Sequence, residues 1–89
     1  MKLLFCRNCE DVVRLVDSTR SCSCGWCKGK YIDEINAVYS GTFAVPLGVT
    51  NSSLTEAIAN RPQSGLGSRL CTFVIPIECP TFKLVDELD

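Results

Sequence analysis

Short runs of apolar residues broken by polar ones predict β-strands in the first third of the chain. The segments "LLFC" (residues 3–6) and "VVRLV" (residues 12–16) are apolar and partly β-branched, and "DSTR" (residues 17–20) has turn composition. These strands are too short to bury a core on their own. We therefore expect them to pack against the C-terminal half of the chain.

Longer apolar runs follow, and they predict more strands. The segment "INAVYSGTFAVPLGV" (residues 35–49) predicts two strands around "SGT", and Pro46 predicts that the second is an edge strand or carries a bulge. The run "LCTFVIPI" (residues 70–77) predicts the most buried strand, with Cys71 as a small apolar filler. Residues 78–89 are expected to form a tail.

The segment "NSSLTEAIANRP" (residues 51–62) carries the clearest helix signal in the chain. Ser53 followed three residues later by Glu56 matches a capping box, which predicts Ser53 as the N-cap. Pro62 disfavours helical backbone before it, so the helix is expected to end near Asn60 or Arg61. A helix of about two turns needs packing against other elements to persist.

The length and the seven cysteines favour one small domain with a stabilising device besides its core. A chain of 89 residues buries only about 60% of its unfolded surface. The initial apolar run is shorter than the roughly 7–15 residues of a signal-peptide core, and no run approaches the roughly 20 residues of a membrane span. We therefore expect a cytoplasmic protein without a membrane partner, whose reduced cysteines bind metal.

The charge distribution argues against a strong nucleic-acid-binding surface, and the absence of histidine excludes several classes of enzyme. Residues 1–30 hold six Lys/Arg and three Asp/Glu, a balance of +3, whereas residues 31–89 hold three and seven, a balance of −4. Neither half has the charge of a strong nucleic-acid surface. Without histidine, the common His-ligated zinc hydrolases and the Ser-His-Asp and Cys-His nucleophiles are excluded, so we expect no enzyme.

Clustered cysteine pairs form the candidate metal site. Cys6 and Cys9 in "CRNC" have the two-residue gap that grips a tetrahedral ion. The second pair comes from "CSCGWC", either Cys24 with Cys27 or Cys22 with Cys24. The first choice has the usual gap, while the second is followed by a glycine that can turn its N–H toward sulfur. Spacing alone leaves both choices open.

Residues 1–33 resemble a zinc ribbon, the two-knuckle β module found in many nucleic-acid-binding and protein-binding proteins. Over most of its length the chain also resembles a group of short bacterial and phage proteins through "CRNC", "CSCG", "GKY", "AVPLG", "NSS", "FVIP" and "CPT". The resemblance implies no activity. It implies one structural zinc ion and leaves Cys27 as an extra thiol, with the ligand set Cys6, Cys9, Cys22 and Cys24.

The sequence thus predicts an α+β fold, a small zinc ribbon (residues 1–33) merged with an antiparallel sheet and one short helix (residues 34–89) in a single domain. The leading functional hypothesis is a non-enzymatic binding or regulatory module that acts through protein–protein contacts, and resemblance alone suggests a phage-type modulator of a host complex. The alternative is nucleic-acid binding through Trp26 and the basic knuckle residues. We expect Trp26 to pack over the metal site against Tyr31, and four basic side chains to surround the knuckles: Arg7, Arg20, Lys28 and Lys30.

Overall fold

The computed structural model describes residues 1–88 and shows a small α+β fold with eight strands and one helix in that range. Two four-stranded sheets have the strand orders β2-β1-β6-β7 and β3-β4-β5-β8. Both sheets combine strands from the two halves of the chain. The elements are β1 (Lys2–Cys6), β2 (Val12–Arg14), β3 (Arg20–Ser21), β4 (Lys28–Tyr31), β5 (Ala37–Ser40), β6 (Ala44–Val49), α1 (Asn51–Ala59), β7 (Thr72–Val74) and β8 (Phe82–Leu84).

The first sheet is antiparallel throughout, and Pro46 lies inside it rather than at an edge. β6 pairs with β1 on one side and with β7 on the other, and Leu4 faces Pro46 across the first pairing. The carbonyl of Pro46 accepts from the amide of Ile75, so its backbone nitrogen also faces that side. Ile75 lies just beyond the end of β7, where a missing donor costs little. The prediction of an edge strand or bulge at Pro46 is therefore wrong.

The second sheet is mixed, which corrects the prediction of a purely antiparallel arrangement. β4 pairs antiparallel with β3 and β5, but β8 pairs parallel with β5, with Phe82 beside Ala37. Phe82 is fully buried and meets the Tyr39 ring edge-on at 5.2 Å between centroids. Residues 82–84, expected in a tail, thus form a strand because a large aromatic side chain anchors them in the core.

The two sheets share one buried cluster. Strand β1 contributes Leu4 and Cys6, and the remaining members come from both halves of the chain. Gly41, at φ +122°, turns the chain from β5 in one sheet to β6 in the other. A Cβ there would meet the backbone of Trp26 and Cys27, so glycine fits this corner. The other members of the cluster are Val13, Leu15, Cys22, Cys27, Ala37, Tyr39 and Phe82.

The helix begins three residues before the predicted position. α1 spans Asn51–Ala59 with Thr50 as N-cap, and the Thr50 side chain makes no capping hydrogen bond. Ser53 lies inside the first turn, where its hydroxyl donates to the carbonyl of Thr50 at 2.8 Å and accepts from the amide of Cys71 at 2.9 Å. The capping-box prediction at Ser53 is wrong because this hydroxyl connects the helix to the chain before β7.

The segment predicted as the most buried strand is exposed. Only Thr72–Val74 of residues 70–77 forms a strand, and all three residues are exposed. Phe73 packs its ring over Gly48, where a Cβ would lie 2.5 Å from the ring. Cys71 is exposed as well, so it is not a core filler. The prediction of a buried strand is wrong because a continuous run of apolar residues does not show whether another element covers it.

Candidate metal centre

Two turns from different sheets bring four cysteines together. Cys6 is the last residue of β1, and Cys9 lies in the turn that follows it. Cys22 and Cys24 lie between β3 and β4 in the second sheet. The four predicted ligand positions therefore meet, and the four Sγ atoms all lie within 4.8 Å of one another.

The sulfur separations match a tetrahedral ion. The Sγ atom of Cys24 lies 3.4 Å from that of Cys22 and 3.7 Å from that of Cys6. A zinc ion with Zn–S bonds of about 2.3 Å requires sulfurs about 3.8 Å apart at the corners of a tetrahedron. Four thiol donors at this spacing form a donor set that could hold a metal ion such as zinc.

Backbone amides of the first turn stabilise negative charge on Cys6. Burial of Cys6 opposes ionisation most strongly, but hydrogen bonds from the amide of Cys9, the thiol of Cys27 and the amide of Asn8 hold its pKa below the ordinary value. Glu10 closes the turn with φ +61° and donates its amide to the carbonyl of Cys6 at 2.8 Å. The hydrogen bonds of this turn therefore favour the ionised form of the thiol at the end of β1.

The second turn aims its amides at sulfur in the same way. Burial opposes ionisation of Cys22 most, yet the amide of Cys27, which donates to the Cys22 Sγ at 3.4 Å, and the thiols of its cysteine neighbours lower its pKa to about 6. Gly25 has φ +80°, as expected, but its amide donates to the carbonyl of Cys22 rather than to sulfur. The glycine shapes the turn, and the two following residues supply the donors.

Cys24 is the exposed member of the four. The side-chain amide of Asn8 and the amide of Trp26 favour its thiolate, but burial and its neighbours Cys22 and Cys9 together raise its pKa. Asn8 thus reaches across from the first turn to the second. Sequence reasoning did not identify Asn8, although this residue lies inside "CRNC".

Cys27 lies beside the group of four but outside it. It is fully buried, directly before β4, and its thiol contacts Cys6 and Cys22. Burial and these two neighbours raise the pKa of Cys27 well above its usual range. A buried thiol that stays protonated can donate hydrogen bonds to the sulfur atoms of these two neighbours.

Hydrogen bonds connect the two turns to each other and to the rest of the fold. The carboxylate of Asp11 accepts from the amide of Ser23 at 2.9 Å and from its hydroxyl at 3.1 Å, which connects the first turn region to the second. Arg7 donates its amide to the carbonyl of Phe43 and its guanidinium to the carbonyl of Thr42, both at 2.9 Å. Asp11 is a further residue that the cysteine pattern alone did not reveal.

Trp26 is exposed at the tip of the second turn, with 62% of its surface accessible. It meets Phe43 edge-on at 6.2 Å between ring centroids. Tyr31 instead lies under the ammonium group of Lys2, and its hydroxyl accepts from the Lys2 amide. The prediction that Trp26 packs against Tyr31 is therefore wrong. Of the basic knuckle residues, Arg7 and Arg20 are exposed, and Lys28 and Lys30 are half-buried.

Comparisons of the chain with protein-family models, with curated protein sequences and with solved structures find no match. Among residues 1–88, no helix combines the length and the apolar character needed to cross a membrane.

Proposed function

We propose that the protein is a zinc-stabilised, non-enzymatic binding module that acts through protein–protein contacts. Cys6, Cys9, Cys22 and Cys24 would hold the ion, and the two turns would be the knuckles of a zinc ribbon. Four sulfur ligands fill a tetrahedral coordination sphere, so the ion would have no open position for a substrate or a reactive water. Its role would be to fasten the two sheets together.

The observation that carries the binding role is the exposed Trp26 ring, which lies against the half-buried Phe43 and beside Arg7. Trp26 is held on a turn that the cysteine cluster would make rigid, and Phe43 supports its ring from one edge. The backbone amide of Arg7 donates to the carbonyl of Phe43, which places the arginine next to this pair of rings. Tryptophan and arginine are the residue types most enriched among interface hot spots.

A quantitative capture experiment tests this role. Wild-type protein, Trp26→Ala and Ile58→Ala would each be immobilised with equal zinc content and exposed to an extract of the natural host. Ile58 is a matched control because it is 63% exposed but lies on α1, away from the cysteine turns. We expect one set of proteins to be retained by wild type and Ile58→Ala and lost from Trp26→Ala. Equal retention by all three contradicts the proposal.

Nucleic-acid binding is the second candidate, favoured by the exposure of Trp26 together with Arg7 and Arg20. An exposed indole stacks on unpaired bases, and arginines contact phosphates. A mobility-shift series with single-stranded and duplex oligonucleotides across salt concentration separates the two candidates. Binding that weakens steeply with salt supports this function, and no binding at low salt rejects it.

A further inference from the structure

The outer edge of β7 presents backbone groups that no strand within residues 1–88 pairs with. β7 (Thr72–Val74) is the last strand of the first sheet and pairs only with β6. The amide of Ile75 donates to the carbonyl of Pro46 in β6, so the backbone groups of Ile75 face that strand. Because these directions alternate along a strand, the N–H and C=O groups of Thr72 and Val74 point away from the sheet.

Charged side chains protect the other three sheet edges but not this one. The edge strands β2, β3 and β8 contain Arg14, Arg20 and Lys83 respectively, whereas β7 has the sequence Thr-Phe-Val. Lysine and arginine on an edge strand discourage pairing with another chain. The absence of such a residue from β7 leaves an apolar edge open to strand addition.

We propose that β7 pairs with β7 of a second copy of this chain, antiparallel and centred on Phe73. In this register Thr72 lies opposite Val74 of the second copy, and Val74 lies opposite its Thr72. Each of these two pairs can exchange both N–H···O bonds, because the groups that face outward on one copy meet the matching groups on the other. The two first sheets would join into one continuous sheet of eight strands.

The side chains around β7 fit such a two-fold arrangement. Phe73 would face Phe73 of the second copy as a cross-strand aromatic pair, and 47% of its surface is accessible in the single chain. Arg69 and Glu78 lie on opposite sides of β7 and are both exposed. Antiparallel pairing brings the end of β7 that Arg69 precedes close to the end that Glu78 follows in the other copy, so the charges near the two ends are complementary. Pro76 lacks an N–H and limits the pairing to this short segment.

Sedimentation velocity over a micromolar to millimolar concentration series tests the proposal with a matched pair of variants. Val74→Lys adds a charge to the proposed interface, and Val12→Lys adds the same charge to β2 at the opposite edge of the same sheet. Both valines are exposed, at 66% and 50% respectively. We expect wild type and Val12→Lys to approach twice the chain mass of 9.8 kDa and Val74→Lys to stay at that mass.

A second variant tests the same interface without adding a charge. Val74→Pro removes an N–H that faces outward and not one that bonds to β6, so the pairing of β7 with β6 should persist while the dimer is lost. Hydrogen exchange should show slow exchange at the amides of Thr72 and Val74 in wild type at high concentration, and fast exchange of Thr72 in Val74→Pro. A wild-type protein that stays monomeric overturns the proposal and leaves this edge to an extended segment of another protein. A dimer that survives both Val74 substitutions overturns it as well.

Discussion

Whether Cys22 or Cys27 joins Cys6, Cys9 and Cys24 around the proposed ion depends on the positions of individual sulfur atoms. The Sγ atom of Cys24 lies close to those of Cys6 and Cys22, whereas Cys27 contacts Cys6 and Cys22 from outside the group of four. We therefore predict that Cys27→Ser retains one zinc ion per chain by elemental analysis, although a buried hydroxyl lowers its stability. Cys22→Ser should lose zinc or fail to fold.

Cys71→Ser is the control for this series, because Cys71 is exposed and far from the cluster in the sequence. It should bind zinc as wild type does. If Cys22→Ser keeps its zinc and only the double variant with Cys27→Ser loses it, Cys27 replaces Cys22 as a ligand. Loss of zinc from Cys27→Ser alone contradicts the assignment.

The carboxylate of Asp33 gives a prediction about how stability depends on pH. The side-chain amide of Asn36, its backbone amide and the amide of Ile35 donate to the Asp33 carboxylate and hold its pKa below the ordinary value. The lowered pKa means that this stabilisation is complete above the unfolded pKa of about 3.9 and is lost as pH falls through the folded pKa. A carboxyl-carbon NMR titration should show this low value.

The Asn36→Ala variant isolates the largest contribution to that shift. It removes the side-chain donor and keeps both backbone donors, so the pKa of Asp33 should rise toward its ordinary value. An Asp33 carboxyl that titrates normally in the wild-type protein would show that the turn over residues 33–36 is not formed as described.

Residue spacing revealed the cysteine cluster but not its surroundings. The segments "CRNC" and "CSCG" reduce the number of cysteines that could bind the proposed ion, because a tetrahedral ion requires paired thiols on tight turns. The choice between Cys22 and Cys27 stayed open, since both lie two or three residues from Cys24. The contact of Trp26 with Phe43 was also not predictable, because Phe43 reaches the second turn from a different part of the chain.

At the scale of elements, the bridge between α1 and the chain before β7 gives a stability prediction. Ser53→Ala removes a hydroxyl that accepts from the amide of Cys71 and donates to the carbonyl of Thr50. Because Ser53 is half-buried and the substitution removes two hydrogen bonds, we expect the free energy of unfolding to fall by about 1 kcal/mol. Thermal unfolding of Ser53→Ala and of the exposed control Ser52→Ala measures the difference, and equal midpoints would contradict the bridge.

Local patterns predicted many elements but not how the strands are arranged. The two strands around "SGT" exist as β5 and β6, yet they belong to different sheets because Gly41 turns the chain between them. The strand β8 was missed because its short apolar pattern becomes a strand only when Phe82 enters the core. Such tertiary contacts override the local sequence preference.

The whole molecule is elongated, with extents of 44 × 27 × 22 Å and a Cα radius of gyration of 14.2 Å. A compact chain of this length would have a radius of gyration of about 12 Å. The shared core is correspondingly small, and it includes the sulfur atoms of Cys6, Cys22 and Cys27. The stability of both sheets should therefore depend on what holds these cysteines together.

The prediction at the scale of the whole molecule concerns the effect of removing the proposed metal ion. Zinc binding to small cysteine-rich domains provides about 10–16 kcal/mol, which matches or exceeds the total stability of about 5–15 kcal/mol of an ordinary domain. Since Cys6 ends β1 and Cys9 follows it in one sheet, and Cys22 and Cys24 precede β4 in the other, chelation should release both sheets together. Hydrogen exchange should show amide protection lost throughout β1, β4, β5 and β6 in chelated wild-type protein and restored when zinc returns. Cys22→Ser in the presence of zinc should exchange as the chelated protein does, and protection that survives chelation in β4 and β5 would show that the core alone holds the second sheet.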